Sequence, residues 1–244
     1  MPIHDWARAD DAAYHSFQLG WACQLCDQLN RGLLPQPLSA MTETLELRPP
    51  AEFGPLPEPS GPVSRRNWDE ELLDVTEHPP QILPRAVDNR RQYACVIVSI
   101  RDDLHQPIAA VFWVTRQDKE TPYRLTSIIR HAVGALTRNI HLLVVDLFLP
   151  SSRDPHGIHK AIWDQFQEAP FDLPEGKLFT LVAYAAGAEK VAYVDNVAVG
   201  DQLPDMPIFL TPERYVMCPL EASYQVTWNV FPAALKGPLE APPT

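Results

Sequence analysis

The sequence has little of what marks the commonest enzyme classes. Its ten glycines form no phosphate-cradling fingerprint, and there is no Gly-x-Ser-x-Gly elbow, so a dinucleotide-binding or serine-hydrolase reading has no support. The four cysteines, Cys23, Cys26, Cys95 and Cys218, are too few for a disulfide framework and are expected to be reduced thiols. Cys23 and Cys26 fall inside a predicted helix, not at the helix N-terminus that would depress a thiol pKa, and no second pair completes a zinc ribbon. They read as two small side chains near the core. Long apolar runs are also missing. The longest, Ile140 to Pro150, is broken by His141 and Asp146 and is too short and too polar to span a membrane. The start, Met1-Pro2-Ile3-His4-Asp5-Trp6, is polar from its fourth residue with no apolar stretch behind it, so no secretory leader is expected and the expected location is cytoplasmic. Positive charge is scarce: 20 Lys and Arg stand against 31 Asp and Glu, a net charge of −11. Such a field repels phosphate backbones, which counts against bulk nucleic-acid binding unless a basic patch or a bound divalent cation offsets it locally. A protein partner remains as the macromolecular candidate.

What is present is enough for a core. Of the 244 residues, 45% are apolar and 21% charged, ordinary for one principal domain. Residues 12–30 carry Tyr14, Phe17, Trp21, Leu25 and Leu29 at spacings of three and four, the pattern of an amphipathic helix capped by Asp10 or Asp11 and ended by Gly32. Residues 38–47 alternate like a strand. From Pro49 to Pro84 nine prolines fall in 36 residues, which excludes a regular helix or a central strand. This insertion, about 49–90, reads as extended surface chain with an acidic island at Asp69-Glu70-Glu71 and Asp74 and basic doublets at Arg65-Arg66 and Arg90-Arg91. The doublets read as solvated surface or as ion pairs with that island, and otherwise as a grip for a phosphate or an acidic partner.

Order returns with strands at 93–100 and 107–115, read as a hairpin. A helix at 122–138 follows, capped by Thr121 with Pro122 at its first position. A strand at 140–149 is apolar enough to be buried on both faces, as in a parallel pair. Further along, the pattern predicts a helix at about 156–168, strands at 178–185 and 190–199, an irregular stretch from Gly200 to Pro212, and a last helix at 220–231. The final residues, 241–244, are expected to fray, and the segment from about 170 onward reads as a C-terminal extension. The fold class is α/β (α+β): a mixed central sheet with flanking helices. The order helix, three strands, helix, strand is that of a restriction-endonuclease-like core.

Three segments, MPIHDW, HLLVVDLFLPSSRDPHGIHKAIWDQF and VAVGDQLPDMPIFLTPERYVMCPLEASYQVTW, resemble a bacterial family, domain-of-unknown-function family four-zero-five-eight. The likeness covers nearly the whole chain outside the proline-rich insertion. Members of that family in turn resemble PD-(D/E)XK endonucleases, with a Pro-Asp-Val step before the second core strand and a Glu-x-x-Ser-Pro-like step on the third, followed by Asn-Lys. The resemblance implies Mg²⁺ or Mn²⁺ held by converging carboxylates. On it, Thr115 stands for the serine, Asp118 for the asparagine and Lys119 for the lysine. Glu43 on the first strand matches a helix- or strand-borne acid. Here the sequence departs from the pattern: Phe112 or Trp113 occupies the glutamate position, and Pro57-Glu58 is the nearest remnant of the Pro-Asp step. An aromatic side chain in place of a central carboxylate removes a metal ligand and adds bulk. The expectation is therefore a catalytically degenerate endonuclease-like fold acting as a binding or interaction module. The alternative is a divalent-metal-dependent hydrolase with a rearranged set of Glu43, Asp118 and Lys119.

A third candidate site follows the 140–149 strand, where open α/β sheets place their ligands. Asp146 is a carboxylate in an apolar strand and must find a cation, a histidine or backbone donors. Asp154, His156 and His159 surround a predicted helix start, where two histidines three apart share a face and suit a metal, Zn²⁺ included. The structural reading makes Asp154 the helix cap and Pro155 its first residue. His4, Asp5 and His15 form the last cluster. They suit acid–base work or metal binding, or simply tie the terminus to the domain with Trp6 as apolar anchor.

Overall fold

Strand alternation divides the core into two. Val96, Val98 and Ile100 face one side of the sheet with Val111, Trp113, Leu143 and Val145. Cys95 and Ile97 face the other with Phe112, Val114, Leu142 and Val144. Both sets are buried, so both faces of the sheet must be covered. The computed structural model describes residues 3–47 and 93–240, and the proline-rich segment, with its acidic island, both arginine doublets and Pro57-Glu58, lies outside them, as do residues 241–244. The described elements are α1 (Asp11–Gln28), β1 (Ser39–Leu47), β2 (Tyr93–Arg101), β3 (Pro107–Val114), α2 (Arg116–Glu120), α3 (Pro122–Thr137), β4 (His141–Asp146), α4 (Gly157–Trp163), β5 (Phe179–Ala185), β6 (Val191–Val197), β7 (Met206–Thr211), β8 (Arg214–Cys218), α5 (Leu220–Val230) and α6 (Ala233–Glu240). Among them no helix is long and apolar enough to cross a membrane.

The fold is a mixed α+β arrangement. Six strands lie in the order β1-β2-β3-β4-β5-β6, with β7-β8 a separate hairpin. Only the β3–β4 pair is parallel, because α3 carries the chain between them, and the other pairs are antiparallel. Helix α3 turns Leu125, Ile128, Ala132 and Leu136 onto one face of the sheet, together with Ile158 and Ile162 of α4. Helix α1 turns Phe17, Trp21 and Leu25 onto the other, with Tyr224 and Trp228 of α5 and with the β7-β8 hairpin. The α1–α5 packing is close: a Cβ added at Gly20 would meet Thr227 Cγ2 at 3.1 Å, and Trp21 Nε1 donates to Ser223 Oγ at 2.8 Å.

Most expected elements are present, with instructive differences. Asp10, not Asp11, caps α1, accepting from Ala13 N–H, and Gly32 ends the helical run at φ +129°, a conformation favoured by glycine. Thr121 caps α3 through Arg124 N–H. The stretch from Gly200 to Pro212, expected to be irregular, contains β7. Pro204 lies before that strand and Pro207 near its start, and the two-stranded ribbon tolerates a missing N–H there. The C-terminal segment is part of the core, since β5 and β6 extend the main sheet beside β4. The N-terminus is anchored as well. His4 stacks on Trp228 at 3.6 Å, and Tyr224 Oη lies 2.7 Å from His4 Nδ1 and accepts from Trp6 Nε1 at 3.2 Å.

Candidate functional site

The site is built where β3 and β4 end. Val114 closes β3, and Thr115 then caps α2 through a reciprocal capping box. Asp118 Oδ2 accepts from Thr115 N–H at 2.8 Å and from Thr115 Oγ1 at 2.7 Å. Successive helical residues diverge by about 100°, so Asp118 and Lys119 leave α2 in different directions. Asp118 lines a cleft against α1. Lys119 runs inward, 5% exposed, to the carboxyl end of β4.

There its ammonium is surrounded. Nζ lies 2.6 Å from Asp146 Oδ2 and 3.1 Å from Asp154 Oδ2, and it donates to the carbonyls of Phe148 and Leu149, both at 3.2 Å. Asp146 also accepts from Phe148 N–H, and Asp154 Oδ1 accepts from Ser151 N–H and Ser151 Oγ. Both carboxylates are almost wholly buried. Burial pulls the Lys119 pKa down, but Asp146 and Asp154 outweigh it and hold the ammonium charged. Burial, with Asp154 adding its charge, pushes Asp146 up to about 6 against the pull of Lys119. The group is one cation between two anions, closed to solvent.

In front of it lies a cleft of about 320 Å³. One wall is α1, with Tyr14 and Gln18; the other is the Thr115–Asp118 turn, and Cys95 of β2 lies between. The rim is a polar chain. Arg116 donates to Asp11 Oδ1 through Nε and Nη2 at 3.0 and 2.7 Å, Gln117 Nε2 donates to Asp11 Oδ2 at 2.9 Å, and Arg124 Nη1 donates to Gln117 Oε1 at 2.9 Å. These bonds tie the start of α1 to α2 and α3. The interior wall is not satisfied in this way. Tyr14 packs edge-on to Phe148, with ring centroids 4.8 Å apart, yet its hydroxyl has no hydrogen-bond partner among the described residues, and neither has Gln18 Nε2. Both residues are buried, at 2% and 1% exposure. Burial raises the Tyr14 pKa, and the negative charges of Asp146 and Asp118 raise it further. Burial likewise raises Asp118, partly countered by its bonds to Thr115.

The side chains singled out in the sequence are therefore regrouped. Lys119 meets Asp146 and Asp154, which came from a different candidate set. Glu43 lies apart from them in its bonding: its oxygens accept from Arg101 Nε at 2.7 Å and Nη2 at 2.9 Å and from Ser99 Oγ at 2.9 Å. Asp118 is committed to its cap. Asp154 is not the cap of α4, which begins at Gly157 after His156; the chain turns through Ser151–Asp154 instead, and the carboxylate serves that turn and Lys119. His156 is exposed beside Asp172. His159 is buried, with Nδ1 2.9 Å from Tyr184 Oη, and burial lowers its pKa to about 4. The two histidines do not share a site, because α4 starts one residue too late to place them on one face. Among the described residues no three His, Cys, Asp or Glu side chains converge to hold a metal ion. Of the N-terminal trio, His4 is buried and its pKa is lowered by burial to about 4, Asp5 caps the short helix at Trp6–Arg8, and His15 borders the cleft.

Nothing in the sequence marks Tyr14 and Gln18 as lining this cleft; Tyr14 reads as one more apolar position of α1, and Gln18 is a polar residue four positions after it and four before the buried Ala22. The chain was compared with protein-family models, curated proteins and solved structures, and no match was found in any of the three.

Proposed function

We propose that the chain is a cytoplasmic binding module on a catalytically degenerate endonuclease-like fold. One observation carries this reading: the Lys119 ammonium sits between Asp146 and Asp154, in the position a divalent cation would need. A metal-dependent nuclease requires carboxylate oxygens free to ligate Mg²⁺. Here the lysine neutralises the carboxylates instead of attending the reaction. The order α1, β1, β2, β3, α2, α3, β4, with the five-residue α2 as the lead into the α3 crossover, supports the endonuclease-like assignment. The aromatics at the expected glutamate position are core residues: Phe112 is buried on one face of the sheet and Trp113 on the other. The remaining acids are spoken for, Glu43 by Arg101 and Asp118 by Thr115.

The test is thermal unfolding after chelator treatment, with Mg²⁺, Mn²⁺ or Zn²⁺ added back. A metal at 100 times its dissociation constant adds roughly 2.7 kcal/mol, well within the resolution of a melt. The binding-module reading expects no saturable shift with any of the three. A second reading, a divalent-metal-dependent hydrolase, draws on the convergence of Asp146 and Asp154 on one point. It requires Mg²⁺ or Mn²⁺ to displace the ammonium, and a saturable rise with either ion would replace the first reading with this one.

A further inference from the structure

Most of the described cations are engaged. Arg31, Arg101, Arg116, Lys119, Lys160 and Lys177 each pair with a carboxylate, as expected of a chain with 31 Asp and Glu against 20 Lys and Arg. Arg130, Arg138 and Arg214 have no side-chain hydrogen bond or ion pair among the described residues. Two of these three stand on one face of α3. Arg130, Gly134 and Arg138 follow one another at intervals of four, which stacks them along one side of the helix. At 1.5 Å per residue the two arginine Cα atoms are about 12 Å apart. With His131 and Thr137 the three residues line an open groove of about 430 Å³. No Asp or Glu occurs from Thr121 to His141, so α3 supplies no counter-charge of its own. The carboxyl end of the helix favours a cation at Arg138, but that end does not account for Arg130, two turns earlier.

Gly134 is the second, independent observation. A glycine in a helix interior is less stable than alanine, and neither packing nor backbone conformation calls for one here. A Cβ built on Gly134 would meet nothing within 4 Å, unlike Gly20 of α1, and its φ is not positive. What Gly134 does is keep the floor of the groove low between two unpaired guanidinium groups. The walls set the class of occupant. A guanidinium forks onto a carboxylate or a phosphate. Two arginines neutralise few phosphates, and nucleic-acid affinity rests on neutralising many; the net charge of −11 repels the rest of such a polyanion. Ile129 and Val133, partly buried on the same helix, add an apolar shoulder that suits a protein surface. We infer that the Arg130–Gly134–Arg138 groove of α3 docks an acidic segment of a partner protein, with its carboxylates gripped by the two arginines and its chain lying close over Gly134. This rests on the binding-module reading and names the partner chemistry for it.

The experiment uses the full chain and labelled octaglutamate as the probe, with octaglutamine and an eight-nucleotide oligothymidylate beside it, followed by fluorescence anisotropy at low salt. Extended octaglutamate is about 27 Å long and reaches both arginines. It is expected to bind saturably with a dissociation constant of about 0.1 mM, and octaglutamine not to bind. The double variant Arg130→Gln, Arg138→Gln should weaken octaglutamate at least about tenfold, and Gly134→Leu, which fills the floor of the groove, by a similar factor. Both should melt no lower than the unaltered chain, because the arginines have no partner to lose and leucine suits a helix better than glycine. A charge-matched control, Arg31→Gln with Arg214→Gln, removes two cations outside α3 and should leave binding unchanged. Equal weakening by the control would reveal general charge attraction and overturn the inference. So would undiminished binding by either groove variant, or no saturable binding up to about 5 mM, some fifty times the expected dissociation constant. An oligothymidylate that binds as tightly as octaglutamate would overturn it in favour of a nucleic-acid partner. These failures are separate from that of the binding-module reading, which falls only to a saturable Mg²⁺ or Mn²⁺ shift in the metal melts.

Discussion

Two polar regions lie side by side at the ends of β3 and β4, and they are finished differently. In the Lys119 cluster the ammonium has four oxygen neighbours, and each carboxylate has a further bond to the backbone. In the cleft, a few side chains away, Tyr14 and Gln18 keep unpaired polar atoms. Burial is equally deep in both, so burial alone does not mark a functional site. What separates them is whether the protein supplies its own partners: Asp154 Oδ2 accepts no hydrogen bond, yet it has the Lys119 ammonium at 3.1 Å. A closed ionic group specifies how the loop after β4 docks on α2. The unpaired hydroxyl and amide nitrogen fix no such docking, and with almost no accessible surface they are a cost carried inside the packed protein.

The sharpest way to break this contrast is to open the closed region. Lys119→Met keeps the stem and removes the charge, leaving Asp146 and Asp154 buried together with no cation between them. Removing one partner of a buried ion pair costs about 3–5 kcal/mol, and that loss is expected in urea unfolding at pH 7. Adding Asp146→Asn to Lys119→Met should recover a large part of it, since one of the two stranded charges is gone, and the double-mutant cycle should show strong coupling. If Lys119→Met alone loses less than about 1 kcal/mol, as an exposed pair would, the cluster is not the closed unit described here.

The contrast also shows what could be read from the chain before its fold. Local periodicity placed α1, β2, β3, α3, β4 and α5 because each has an apolar repeat long enough to outweigh local propensity. The short α2 and the β7-β8 hairpin went unseen. Five residues carry too little periodicity, and Pro204 and Pro207 signal a loop until a partner strand is known. The reasoning that Asp146 must find a cation was sound, but its partner is 27 positions earlier, and no local pattern links them. The N-terminal cluster resolved as an anchor because Trp6 and His4 pack on α5, more than two hundred residues away. The open groups of the cleft were the least legible. A tyrosine and a glutamine on a buried helix face look like ordinary core residues until the space beside them is known.

A second test uses protons in place of a substitution at the cluster. His159 and His4 are buried, and burial lowers both pKa values to about 4 from 6.5. Between those values the unfolded chain takes up protons that the native protein excludes, so stability is lost as pH falls from about 6.5 towards 4. Asp146 has the opposite sign. Its pKa is raised to about 6 from 3.8, so in that window the native protein holds a proton the unfolded chain releases, and acidification through pH 6 favours the folded state. The closed cluster therefore buffers part of the loss. His159→Gln keeps a group that can bond Tyr184 Oη but does not titrate. Between pH 7 and pH 5 it should lose about 2 kcal/mol less stability than the unaltered chain, measured by urea unfolding at both values. Parallel losses in the two proteins would show that His159 is not excluded from protonation in the native state.

The smallest effect should come from the pair that resembles the Lys119 cluster in chemistry but not in burial. Glu43 and Arg101 form a two-point ion pair on neighbouring strands β1 and β2, with Ser99 as a further donor. Their side chains keep 29% and 24% exposure. Arg101 and Ser99 hold the Glu43 carboxyl below its usual range, a contribution to stability that is present at neutral pH and is lost as pH falls through the Glu43 pKa. Partial exposure screens the pair, so Glu43→Gln should cost about 1 kcal/mol, against the several expected at Lys119. It should also flatten the acid limb of the stability profile below pH 4.5, the ordinary glutamate value. A loss comparable with that of Lys119→Met would mean that pairing geometry, not burial, sets the cost of opening these groups. The Glu43–Arg101 pair on β1 and β2 would then be as integral to the fold as the buried cluster at the end of β4.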